Sequence, residues 1–227
     1  MLIPFFEIIK RLKQVDRQNI RGILHIGAHN CEERNDYNNE GIDDANIFWV
    51  EGMKHKVDLM KEQGVPHIYH ALVAETEHDT EFYITNNGQS SSILPLDTHA
   101  IQYPMIKVIE TQTARTTTLK ALIEKEQIPM ERCNFWNLDI QGTELYALKG
   151  AAEYLNYADY LYLEVNMEHL YKDCPLFPEV DGFLQEQGFI RMAMSVVRQG
   201  WGDAFYIRVN PPPTNQTSKD RPPSTTE

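Results

Sequence analysis

The chain has 227 residues, and 33 Asp and Glu against 21 Lys and Arg give it a formal net charge of −12. Apolar residues make up 42% and charged residues 24%, the composition of a soluble globular domain with a sizeable core. So acidic a chain has no overall field for holding phosphate backbones, which argues against a nucleic-acid partner, and no apolar run is long enough to span a bilayer.

The start, MLIPFFEIIKRLKQ, reads as an amphipathic helix within residues 1–19, with Ile8, Ile9 and Leu12 inward. Its charges follow the apolar stretch, the wrong order for a secretory signal. Cys31, Cys133 and Cys174 are odd in number and widely spaced. They suggest neither a disulfide scaffold nor a zinc site, and a reducing, cytoplasmic setting is the simplest reading.

The body, residues 20–209, alternates strands and helices. Ile23–Ile26 is a short apolar run that stops at Gly27, and a polar helical stretch follows from Glu32 to Glu40. Asn46–Val50 suits a strand buried on both faces. Val57 and Met60 give a helical stripe closed by Gly64, and His67–Leu72 is the next strand. Phe135–Leu138 and Leu161–Val165 repeat the strand pattern, with Leu145, Leu148, Ala152 and Leu155 at helical spacing between them. Val180, Phe183 and Leu184 form a last helical stripe before strands at Phe189–Val197 and Ala204–Val209. This alternation predicts βαβ units and a largely parallel α/β sheet. The segment from about Glu75 to Thr113 breaks the alternation: Glu81–Thr85 alternates like a half-exposed strand, Asn86-Asn87-Gly88 signals a turn, and Ile106–Thr113 is β-prone. It reads as a β insertion and a candidate lid. Residues 210–227 hold five of the twelve prolines and no large apolar residue, so they read as a disordered tail.

Four strand ends carry the chemistry. Gly27 lies between a strand and a helix, where backbone can approach a ligand, although the full three-glycine fingerprint is missing. Glu51 ends the second strand 24 positions later, near the roughly 20 expected for an acid that accepts ribose hydroxyls. Asp139 ends a buried strand, at the sheet edge where open α/β sheets bind ligands; Thr143 would cap the following helix, with Glu144 in its first turn. Glu164 and Asn166 share a face of the next strand. Asp139, Glu164 and Asn166 would converge on a hard cation, Mg²⁺ or Mn²⁺, or on a substrate hydroxyl; pairing of these acids with Lys or Arg is the structural alternative.

The motifs HIGAHNCEE, NNGQSSSIL, DIQGTELYALKGA, YLYLEVN and WGDAFYI, with the strand ending in Glu51, resemble in order and spacing the FkbM-like family of S-adenosylmethionine-dependent methyltransferases, over roughly residues 20–209. The resemblance implies a Rossmann-like class I methyltransferase sheet of seven mostly parallel strands, the last one antiparallel, with helices on both faces. It implies that His25, Gly27, Ala28 and His29 line the methionine part of the cofactor, that Glu51 takes the ribose hydroxyls beside Gly52, and that Asp139 and Gln141 face the sulfonium. Ser91 and Ser92 would close the site over the acceptor, with Asn166 and Trp201 on its substrate side. The family often has Asp where His25 stands and Gly where Cys31 stands.

Methyl transfer to an alcohol needs a base or a metal near the hydroxyl. Asp139 and Glu164 are the candidate bases, with His169 a third. Aromatics near the crevice, Trp201, Tyr103, Tyr171 and Tyr162, suit sugar rings or aromatic metabolites. The expected acceptor is a hydroxyl of a sugar or glycan. Another O- or N-acceptor, a lapsed methyltransferase-fold interaction module and a nicotinamide oxidoreductase are the competing readings; the missing glycines count against the last.

Overall fold

The apolar runs at Ile23–Ile26, Ile47–Glu51, Phe135–Leu138 and Tyr160–Asn166 become central strands buried on both faces. In this computed structural model, which describes residues 1–17 and 19–209, the strands are β1 (Ile23–Ile26), β2 (Ile47–Glu51), β3 (Ile68–His70), β4 (Asp79–Thr85), β5 (Val108–Arg115), β6 (Phe135–Leu138), β7 (Tyr160–Asn166), β8 (Phe189–Val196) and β9 (Trp201–Arg208). Seven of them form one sheet in the order β3-β2-β1-β6-β7-β9-β8. β9 runs antiparallel between β7 and β8, and the other observed pairings of the sheet are parallel. This is the class I methyltransferase sheet that the resemblance implies. The Pro-rich segment from Asn210, for which composition predicts disorder, lies outside the described residues.

Alternate side chains of each strand feed two cores, one per face. On one face, Leu24, Phe48, Trp136 and Leu161 pack with α5 (Leu119–Glu126), α6 (Glu144–Gly150) and α7 (Phe177–Glu186). On the other, Ile23, Trp49, Phe135 and Tyr160 pack with α1 (Phe5–Gln14), α2 (Arg34–Asn39) and α3 (Lys54–Glu62). Ile8, Ile9 and Leu12 of α1 are buried, as their spacing predicts. Two helices are shorter than the sequence pattern. α2 keeps only six residues. α6 stops at Gly150, because Ala152 takes a positive φ of 49° and the chain continues as a 3-10 turn, Ala152–Tyr157. Among the described residues no helix is long and apolar enough to cross a membrane.

β4 and β5 pair antiparallel in a small sheet of their own, joined by a long connection that carries α4 (Thr98–Gln102). The break in the sequence alternation is therefore a hairpin, and its second strand runs two residues beyond the expected Thr113, to Arg115.

The carboxyl edge of the main sheet is set by one close approach. The Gly27 N–H bonds the Val50 carbonyl at 2.8 Å, and the Asp139 N–H bonds the Ile26 carbonyl at 2.9 Å. Gly27 has φ +93°, and a Cβ there would lie 1.8 Å from the Asp139 carbonyl oxygen. No side chain fits without moving β6, and an L-residue is strained at that φ in any case. Gly27→Ala is expected to destabilise the protein by about 3 kcal/mol or more, read as a lower midpoint in urea; an unchanged midpoint would contradict this crossing.

Candidate active site

A cavity of about 520 Å³ opens at the carboxyl ends of β1, β2, β6 and β7, a volume within the usual range for ligand pockets. At one end stands Glu51, the last residue of β2. Its Oε2 accepts the His29 N–H and its Oε1 the Met53 N–H, both at 2.7 Å. One carboxylate thus pins the loops after β1 and β2, and each oxygen keeps a lone pair for a ligand. Gly27, Gly52 and His29 line the wall around it. His29 has φ +45°, its Nδ1 bonds Glu32 at 2.6 Å, and its Nε2 is buried with no partner among the described residues.

The other end is built on Asp139, Gln141 and Glu164. The Gln141 amide donates to Oδ1 of Asp139 and to Oε2 of Glu164, the latter at 3.1 Å. Its Oε1 accepts the Tyr171 hydroxyl proton. Asp203 stands across from Glu164 on β9 and accepts the Tyr162 hydroxyl proton and the Leu2 N–H. The Asp139 side chain is open to the cavity yet ringed by protein. That low-dielectric surround, with the charge of Asp203 second, pushes its pKa up to about 6. Burial first, then Asp139, Glu144 and Asp203, hold Glu164 well above the usual carboxylate range. Both acids therefore hold a proton to higher pH than a free carboxyl would.

Most of the residues marked by the sequence meet here. His25, Gly27, His29, Glu51, Gly52, Asp139, Gln141, Glu164, Ser91, Ser92 and Trp201 all line the cavity. Their roles differ in detail. His25 is turned mainly into the core: its Nδ1 lies 3.0 Å from the Tyr37 hydroxyl, its ring packs on Trp49, and burial lowers its pKa. The Ser92 hydroxyl donates to the Gln141 carbonyl at 2.8 Å and accepts the Leu94 N–H, so it ties the insertion to the site. Ser91 Oγ accepts the Thr85 N–H at 3.0 Å. Thr143 does not cap α6; its hydroxyl donates to the Ile140 carbonyl, and Glu144 takes the Ile140 and Gly142 N–H groups instead.

Three expected residues stay out of the described wall. Ala28 bonds Val50 through its N–H and turns its methyl into the core. His169 faces the Cys174 carbonyl at 3.1 Å. Asn166 is fully buried two residues beyond Glu164, paired with Trp201 and bridged to Leu176. The oxygen set Asp139, Glu164 and Asn166 is thus not assembled, and Gln141 Nε2 bridges its two acids. Among the described residues no group of three or more His, Cys, Asp or Glu is arranged to hold a metal ion.

Sequence reasoning missed Asp203, whose signal is a charge inside the apolar strand WGDAFYI. It also missed His99 of α4, which lies in a stretch without periodicity, and the arrival of Met1 and Leu2 at the cavity.

The raised pKa of Asp139 has a stability consequence. Between its ordinary 3.8 and about 6 the folded state binds more protons than the unfolded chain. Stability therefore falls as pH rises through that window. Asp139→Asn is expected to raise the melting temperature at pH 8. Solvent screening in the open cavity leaves on the order of 1 kcal/mol, about 2–4 °C. The gain should shrink at pH 4.5, where Asp139 is already protonated. A lower melting temperature at pH 8, by scanning calorimetry, would contradict the strained carboxyl cluster.

The family model described as Methyltransferase FkbM domain matches residues 21–191. No curated protein matches the chain. Among solved structures, magnesium protoporphyrin IX methyltransferase from Synechocystis with bound SAM is similar at 10% identity, over 90% of this chain and 77% of that one, with a TM-score of 0.45. A SAM dependent methyltransferase from Aquifex aeolicus is similar at 11% identity, over 90% of this chain and 92% of that one, with a TM-score of 0.34.

Proposed function

Because the chain belongs to the methyltransferase FkbM family, we propose that its cavity binds S-adenosylmethionine at the Glu51 end and that the methyl group passes to a hydroxyl of a sugar or glycan at the Asp139 end. One observation carries this reading. A single cavity joins Glu51, an acid placed to accept ribose hydroxyls, to the Asp139 and Glu164 carboxyls, which one Gln141 amide bridges. The residues fit a cationic cofactor, since carboxylates and no Lys or Arg line the described cavity.

The cofactor, when bound, supplies a methyl group already attached to its leaving group. The protein's share is alignment and the acceptor proton. The acceptor oxygen attacks the methyl carbon, the carbon–sulfur bond breaks, and the hydroxyl proton passes to the Asp139 carboxylate. Gln141 holds that carboxylate in place through one amide hydrogen, and Tyr171 in turn fixes Gln141. The same amide nitrogen also bonds Glu164 at 3.1 Å, so Gln141 positions both acids. The donor set does not fit a metal, and no step runs through one.

Asp139→Asn is expected to lower methyl transfer from labelled S-adenosylmethionine to a glycoside panel by about 10²-fold or more, with cofactor affinity changed only a few fold. The wild-type rate should fall as pH drops through about 6, where Asp139 takes up its proton. A variant at wild-type rate, or a rate indifferent to pH between 5 and 7, would remove Asp139 from the reaction.

A further inference from the structure

Resting on the reading of this cavity as a methyl-transfer site, we propose that its acceptor end selects a polyhydroxyl ring free of phosphate and carboxylate groups, held by the His99 imidazole against a Tyr103–Trp201 wall. Two observations meet here. The first is charge. Glu32, Glu33, Glu51, Asp139, Glu164 and Asp203 all line the cavity, and none of its described lining residues is Lys or Arg. The Met1 ammonium, which also lines the cavity, is paired with Glu33 at 3.6 Å and leaves the acids in excess, so an acceptor bearing an anionic group would leave water to sit among like charges.

The second is an unpartnered donor–acceptor group. His99 lines the cavity, is 5% exposed, and its Nδ1 is buried with no hydrogen-bond partner among the described residues. α4 is held there by backbone: the Asp97 and His99 N–H groups both bond the Leu170 carbonyl, at 2.8 and 3.2 Å. The imidazole packs on Tyr103 at 4.9 Å and Tyr171 at 5.5 Å between ring centroids. Trp201 donates its indole N–H to the Tyr103 hydroxyl at 2.9 Å, which leaves the Tyr103 proton for a ligand. The wall thus offers aromatic faces for the C–H side of a ring, with a phenol and an imidazole for its hydroxyls. Tyr171 links it to Gln141, and so to the base.

Trp49 and Trp136 are 1% and 0% exposed, so Trp201 is the tryptophan that solutes in the cavity can reach. Quenching of the full chain by caesium, acrylamide and iodide, each normalised to free N-acetyltryptophanamide at equal ionic strength, reads the charge selectivity. Iodide is expected to quench at least about threefold less than caesium; equal quenching would overturn the charge argument. In saturation-transfer NMR with S-adenosylhomocysteine present, methyl glucopyranoside should receive magnetisation and glucose 6-phosphate should not. His99→Ala should abolish the glycoside signal and keep the affinity for S-adenosylhomocysteine. A stronger signal from the phosphate, none from the glycoside, or an unchanged signal in the variant would overturn the proposal. Failure of the wild-type chain to bind S-adenosylhomocysteine would instead count against the cofactor reading.

Discussion

Both oxygens of the Glu51 carboxylate accept backbone N–H groups, one from His29 after β1 and one from Met53 after β2. The carboxylate is buried at the sheet edge and makes two charge-assisted bonds there. They hold together loops that would otherwise splay where parallel strands end. Gly27 lies next to this clamp, pressed on the Asp139 carbonyl, so the position of the Asp139 backbone is tied to the same edge. The Glu51 and Asp139 ends of the cavity are therefore parts of one rim, not separate loops.

The price of that rim is electrostatic. Asp139, Glu144, Glu164 and Asp203 all have pKa values raised chiefly by burial. Two large cores on either side of the sheet supply the stability that such a cluster removes. Carboxyls in such excess over the nearby cation, the Met1 ammonium 3.6 Å from Glu33, are unfavourable for a fold. They fit the proposed binding of a sulfonium cofactor and transfer of an acceptor proton.

The sheet was legible because its central strands are buried on both faces and read as apolar runs. That Gly27, Glu51, Asp139 and Glu164 would share one cavity was legible because strand ends in an open α/β sheet meet at one edge. Asn166 shows the limit of the same logic. The two-residue period assigns it the face of Glu164, yet it says nothing of how far the cavity extends along β7 or what packs over the strand end. Ala28 fails for a related reason: one backbone bond to Val50 decides which way the loop turns its methyl, and no side-chain pattern encodes that bond. His99 comes from a short helix inside an irregular connection, where position depends on two bonds to Leu170, some 70 residues away in the chain.

Calorimetric titration of the whole chain with S-adenosylhomocysteine, beside NADH, decides whether the Glu51 rim holds the nucleoside of a methyl-transfer cofactor. The former is expected to bind in the micromolar range and the latter not at all, with Glu51→Ala weakening binding by about tenfold or more as the ribose hydroxyls lose their charged acceptor. Binding of NADH, or affinity for S-adenosylhomocysteine untouched by the loss of Glu51, would contradict that placement of the nucleoside.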